Sequence, residues 1–400
     1  MLKWFYINNN MIELKKFCSL SLLMAIMLLS CKKSNDDAAT SVNLPDEVTL
    51  AIGEETQLNL PEVPAEQQTW SSSDPTVASV SSTGLVSAYQ AGQTAIKVTY
   101  KGSSATCKIN VIIGNYQKSW KYDFGTKEGN LSLKSAAGIL SDIAYPHVFL
   151  PAPTDGQIAR IWTGNNNVEG FSLTTSATIG SGSRLLFKAP PTTSTSKFSI
   201  LNIDGTNLFS LGFHLKLQSG DAGTYKFAIG RDVSAIDRTT TNGGTQFSNN
   251  INFSPTAALP TFLIMWWDIT ASGYQLSIQQ KDKTLIPLDS GLNPGISFAN
   301  DGEYAIQVYA NNSNSTKKYT RNNTVYIISA GASHIWINNN LLFKAADDPN
   351  FITSELDGNA TLNAFMFMGL SNTDNKAQVY LDDFIYANYI ADINTLPVAE

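Results

Sequence analysis

Disulfide chemistry is nearly closed to this chain: 400 residues carry three cysteines. Cys18 lies inside an N-terminal apolar run, Cys31 ends it, and Cys107 stands alone, so no internal disulfide or cysteine-based metal site is expected beyond the signal. Charge is also scarce, at 15% of residues with a formal net charge of -6. Past the signal, basic residues pair up only at Lys32-Lys33 and Lys317-Lys318, too little for a phosphate-binding surface, so nucleic acid is not an expected partner. The three histidines, His147, His214 and His334, are far apart and lack metal-ligand or nucleophile spacing. Glutamate is sparse between 120 and 390: Glu128, Glu169, Glu303 and Glu355 are isolated. Asp382 and Asp383 are adjacent, and on a regular strand they point to opposite faces, so they form no catalytic pair. There is no Gly-x-Ser-x-Gly. Catalysis is therefore not expected. After Leu29 no apolar run is long enough to cross a membrane.

What is present begins with Met11 to Cys31, MIELKKFCSLSLLMAIMLLSC. Lys15 and Lys16 precede an apolar run that ends Leu28-Leu29-Ser30-Cys31. This resembles a bacterial lipoprotein signal with its lipobox. The resemblance implies a signal peptide over 1–30, cleavage before Cys31, lipidation of Cys31, and contact with the membrane through that lipid only. Residues 31–43 are polar and aperiodic and read as a flexible tether. Their Lys-Lys-Ser-Asn-Asp-Asp is similar to the charged tag of Bacteroidota surface lipoproteins. That implies an outer-membrane protein exposed at the cell surface.

Residues 44–113 read as short strands. Val48, Leu50 and Ile52 alternate with Thr49 and Ala51, and Asp74-Pro75, Thr83-Gly84 and Ala91-Gly92 supply turns. Trp70-Ser71-Ser72-Ser73-Asp74-Pro75, Val77-Ala78, Gly84-Leu85-Val86 and a closing strand to Ile112 resemble the bacterial Ig-like group 2 domain. The resemblance implies a β-sandwich with Trp70 in its core, acting as a stiff spacer. Cys107, in step with Ile109 and Val111, reads as a buried small hydrophobe.

From 119 to 392 the pattern is again period two. Phe209, Leu211, Phe213, Leu215 and Leu217 alternate with Ser210, Gly212, His214, Lys216 and Gln218, and Tyr274 to Ile278 and Tyr304 to Val308 do the same. Half-buried alternation without helical periodicity predicts antiparallel sheets. The fold class is therefore all-β: an Ig-like sandwich followed by a larger antiparallel sandwich, a jelly roll. Ser333 to Phe343, a strand turning at Asn338-Asn339-Asn340, resembles a hairpin of concanavalin-A-like and laminin-G-like domains. Gln378 to Tyr386 resembles the closing strand of carbohydrate-binding jelly rolls, with Trp120 to Gly125 as its expected partner. The Glu-x-Asp-x-x-Glu run of laminarinase-type jelly-roll enzymes is missing.

Sugar rings stack on flat aromatic side chains while amides and charged groups take their hydroxyls. On alternation, Trp336 and Asn338 face outward beside His334, and Trp266 is set apart from the core series Leu263, Met265, Trp267. Trp162 leads into Asn165-Asn166-Asn167. Together with Gln307 and Arg321 these are the candidate ligand contacts; Asn311 to Thr324 reads as a solvated loop. No metal ligand set and no cofactor is expected, although jelly-roll lectin modules often hold a structural calcium, for which Asp123 with Asp382 or Asp383 is the conceivable cage. The expected function is capture of a polysaccharide or oligosaccharide for uptake, beside a TonB-dependent transporter. The alternatives are an adhesin that binds proteins, or a lyase or hydrolase with an unrecognised site.

Overall fold

In the computed structural model the described residues are 42–396, without 61–62, 115, 132–138, 141–149, 159–161, 164–170, 176–178, 189–194, 219–222, 233–260, 271–272, 281, 283, 353–355, 357 and 371–377. The lipobox and Cys31 therefore lie outside the described residues. Among those described, no helix is long and apolar enough to cross a membrane.

The first sandwich pairs a four-stranded sheet (Glu47–Ala51, Ser103–Ile112, Gly92–Tyr100, Thr69–Ser72) with a three-stranded one (Glu55–Gln57, Leu85–Ala88, Ala78–Val80). Alternation along Gly92–Tyr100 buries Thr94, Ile96, Val98 and Tyr100 and leaves the intervening residues wetter. Cys107 and Ile109 are fully buried between the sheets, and Trp70 packs half-buried at the edge of that core.

The second sandwich is larger. Its ten-stranded sheet runs in the order Ile139–Leu140, Gly129–Leu131, Phe171–Thr174, Arg184–Lys188, Gln378–Ala387, Leu208–Gln218, Glu303–Asn311, Ala332–Ile337, Asn340–Leu341. Ser119–Tyr122 pairs antiparallel with the upper half of Gln378–Ala387, Tyr122 opposite Phe384, so the opening strand lies beside the closing one as the sequence suggested. The facing eight-stranded sheet runs Gln157–Ile158, Thr195–Leu201, Ala364–Leu370, Gly223–Gly230, Thr261–Thr270, Gly273–Gln279, Leu285–Pro287, with Trp162–Thr163 also on Thr195–Leu201.

Between the sheets lies an aromatic core. Phe124, Phe198, Phe213, Phe227, Phe365 and Phe384 meet at centroid separations of 5.0–6.4 Å. Each such buried side chain contributes roughly 1.5–3 kcal/mol of transfer free energy.

The two sandwiches share a seam. Gln117 Nε2 donates to Ile52 O at 2.7 Å, and Asn388 accepts from Lys118 N at 2.8 Å while donating to Tyr116 O at 3.0 Å. Ala387, which ends the closing strand, and Tyr389 and Ala391 just past it join the apolar core of the Ig-like sandwich. Gln117 and Lys118, between the two sandwiches, are thus held to both by buried or half-buried hydrogen bonds.

Candidate ligand-binding groove

The outer face of the ten-stranded sheet carries a groove of about 710 Å³. Lys121, Asp383, Ile385, Gly212, His214 and Gln307 form its floor, and Pro151, Ala152, Ser181, Asn339, Ile393 and Asn394 its walls. Gly212 keeps the floor low: a Cβ there would sit 3.3 Å from Ile393 Cγ2 and 3.6 Å from Gln307 Cγ.

A β-bulge arms the floor. Gly212 opposes Ile385 while His214 opposes Asp382, which inserts one extra residue into the closing strand. Asp383 takes a left-handed φ of 49° there. Leu381 and Phe384, three positions apart, both belong to the core. The two acids between them therefore both lie on the outer side, which corrects the expectation that Asp382 and Asp383 point to opposite faces. The spacing Val379, Leu381, Phe384, Tyr386 is the sequence trace of the bulge, since period two breaks once.

Asp383 sits 3.5 Å from His214 Nδ1 and accepts from Ser181 Oγ at 3.1 Å. The pairing with Asp383 raises the His214 pKa, against desolvation, and the same pairing lowers that of Asp383. Asp382 is fully buried, and neither of its oxygens has a hydrogen-bond partner among the described residues. Desolvation pushes its pKa up to about 7.

Three of the expected contacts converge, but under cover. Trp336 is only 3% exposed, which overturns its assignment to a wet face. The residues read as a solvated loop instead form a hairpin, Lys317–Arg321 with Thr324–Ile328, that folds over that end of the sheet. The indole of Trp336 donates to Tyr319 OH at 2.9 Å and meets the Arg321 guanidinium at 4.3 Å and the Tyr326 ring at 5.0 Å. Arg321, 1% exposed, donates to Gln307 Oε1, to Tyr309 OH at 3.2 Å and to Asn339 at 2.5 Å, with Asp392 at 3.5 Å. His334 is likewise buried, beside Tyr319 OH, and desolvation lowers its pKa to about 4. Gln307 is the link between the two regions: it lines the groove, receives Arg321 and donates to Asn394 at 2.9 Å.

The other expected contacts scatter. Asn338, exposed at φ 46°, spends its carboxamide on the neighbouring strand, accepting from Ala305 N at 2.8 Å and donating to Glu303 O at 3.4 Å. Trp266 is half-buried on the outer face of the opposite sheet, its indole bonded to Gln279 at 2.8 Å and one ring face under Lys226 Nζ at 3.5 Å. Trp162 pairs with Lys197 in the sheet; its side chain and Asn165 to Asn167 lie outside the described residues. Alternation reads His214 as an ordinary wet-face residue, Asp383 reads as one of two acids on opposite faces, and Lys121 carries no local signal of a ligand contact.

Two acids of the conceivable calcium cage already have partners. Asp123 is exposed and accepts from Gly125 N at 2.7 Å, while Asp383 is engaged by His214 and Ser181. No group of three or more His, Cys, Asp or Glu suited to a metal occurs among the described residues.

Residues 38–109 match the family model described as bacterial Ig-like domain (group 2). No curated protein matches the chain. A bacterial Ig-like domain-containing GH10 xylanase from termite gut is 30% identical over 16% of this chain and 18% of its own length, with a TM-score of 0.14. The chain thus spans less than a fifth of that enzyme. Cellulose-induced protein Cip1 is 11% identical over 55% of this chain and 86% of its own, with a TM-score of 0.33. A carbohydrate esterase from Shiga toxin-encoding bacteriophage phi24B is 9% identical over 68% and 98%, with a TM-score of 0.36. By its own segment match, then, the N-terminal sandwich of this all-β chain is a bacterial Ig-like domain of group 2.

Proposed function

We propose that this protein is a carbohydrate-binding protein that holds a glycan in the groove over Gly212, His214 and Asp383 without cleaving it. One observation carries the reading: an open groove of about 710 Å³ on a sheet face, lined by a histidine–aspartate pair, a lysine, a glutamine and two asparagines. Such a set offers several donors and acceptors to a polyhydroxylated chain. Stacking plays little part, since Tyr122, Phe213 and Phe384 beneath the groove are turned into the core. The lipobox at Cys31 supports a lipid-anchored protein of the outer membrane, and the tag after it supports display at the surface. Capture for a TonB-dependent transporter accords with that location. The pinned seam supports a rigid Ig-like support for the groove.

Affinity electrophoresis of the full chain against neutral and acidic polysaccharides tests the binding. Retardation by at least one polymer, abolished in Asp383→Ala, is expected, with no new chain ends after long incubation. Free migration in every polymer refutes binding, and released oligosaccharide refutes the non-catalytic half. Radioactive fatty-acid labelling and protease shaving of intact cells test anchor and display; an unlabelled or shielded protein removes them.

A further inference from the structure

The most unusual polar cluster outside the groove floor surrounds Arg184. This side chain is only 9% exposed. Its Nε donates to Ile179 O, its Nη1 to Thr175 O at 3.0 Å and Gly182 O at 2.6 Å, and its Nη2 to Gly180 O at 3.0 Å. Four backbone carbonyls from one short stretch thus converge on one guanidinium. On its other side stands Asp382, fully buried, with Oδ2 at 3.9 Å from Nε. The loop presses against that carboxylate so closely that a Cβ on Gly180 would lie 2.0 Å from Oδ2.

Four carbonyls spread over the three nitrogens of the fork, with a dehydrated carboxyl group beside them, make an oxygen-rich surround; a hard divalent cation such as calcium collects about six to eight oxygens of the same kinds. Left without positive charge, those carbonyl dipoles would repel one another, and Asp382 with them once it is ionised, in a medium of low dielectric. Here the charge is covalently attached. A guanidinium has five N–H donors in a planar fork, cannot lose its proton, and cannot be removed by a chelator.

We propose that Arg184 is a built-in cation, doing the work that a bound divalent ion could do among these oxygens, and that it fastens Thr175 and the Ile179–Gly182 stretch to the closing strand through Asp382. The same stretch carries Ser181, which bonds Asp383. The fold is thereby independent of metal at this site, and removal of the guanidinium should create a calcium requirement.

The test uses the purified full chain. Thermal melting of the wild type is followed in EDTA and in millimolar calcium chloride, and the expected result is one melting temperature in both. Arg184→Ala is expected to melt at least about 5 °C lower in EDTA, and calcium is expected to restore at least half of that loss, with magnesium restoring less. Isothermal titration should show one calcium bound to the variant and none to the wild type. Arg184→Lys, which keeps charge but not the fork, should melt between the two and respond less to calcium; it also carries the test if Arg184→Ala does not fold. Calcium stabilisation of the wild type overturns the proposal. So does an Arg184→Ala protein as stable as wild type, or one whose loss calcium leaves untouched.

Discussion

Two ends of one sheet face behave in opposite ways. Across Gly212, His214 and Asp383 the outer face of the ten-stranded sheet is open and charged. Across Tyr309, His334 and Trp336 the same face is sealed beneath the Lys317–Arg321 and Thr324–Ile328 hairpin and the 392–394 turn. Strand geometry is alike at both ends. Alternation settles which side of a strand leaves the core, but not what comes to rest on that side. The covered end became a second small core, and through Arg321, Gln307 and Asn339 it braces the wall of the open one.

The comparison breaks most visibly at the covered end. Trp336→Ala is expected to destabilise by about 3–5 kcal/mol in chemical denaturation, as a buried aromatic does. A loss within surface range would mean that the hairpin does not seal that end. Next comes Asp382, whose folded pKa near 7 lies above the ordinary carboxylate value. The folded state then holds a proton that the unfolded state has released, so stability falls as pH rises from about 4 to 7, by on the order of 4 kcal/mol. Asp382→Asn should flatten that slope in denaturation curves taken across the range; an unchanged slope would assign it to another group.

Gly212→Ala should cost about 1 kcal/mol, because the neighbouring Ile393 side chain must shift by a few tenths of an ångström. A cost of several kcal/mol would mean the 392–394 turn cannot yield. Smallest of all is the stability effect of His214→Ala, expected within about 0.5 kcal/mol since the ring is half-exposed. The pair shows itself in titration instead. Asp383→Asn should lower the His214 pKa measured by NMR; an unchanged value would deny the contact.

Much of the architecture was legible. Alternation in Leu208–Gln218 and Tyr304 to Val308 announced antiparallel sheets, and the Asn338-Asn339 turn announced its hairpin, where both residues take positive φ. The site was less so, for three physical reasons. A bulge at Asp382-Asp383 changes sidedness by one residue, and only the break Leu381 to Phe384 records it. Burial of Trp336 depends on a hairpin whose Asn- and Ser-rich lead-in reads as loop, although Asn311 and Ser313 are in fact buried and mutually bonded. The chain end also returns: Tyr389, which local pattern would leave with its own sandwich, packs into the other one.

The groove itself is tested most directly by the His214 ring. Its NMR resonances can be followed in the full chain as the polysaccharide that retards it is added. The account predicts that they shift and saturate with the same midpoint as binding. Saturated binding with the His214 signals unmoved would place the glycan elsewhere.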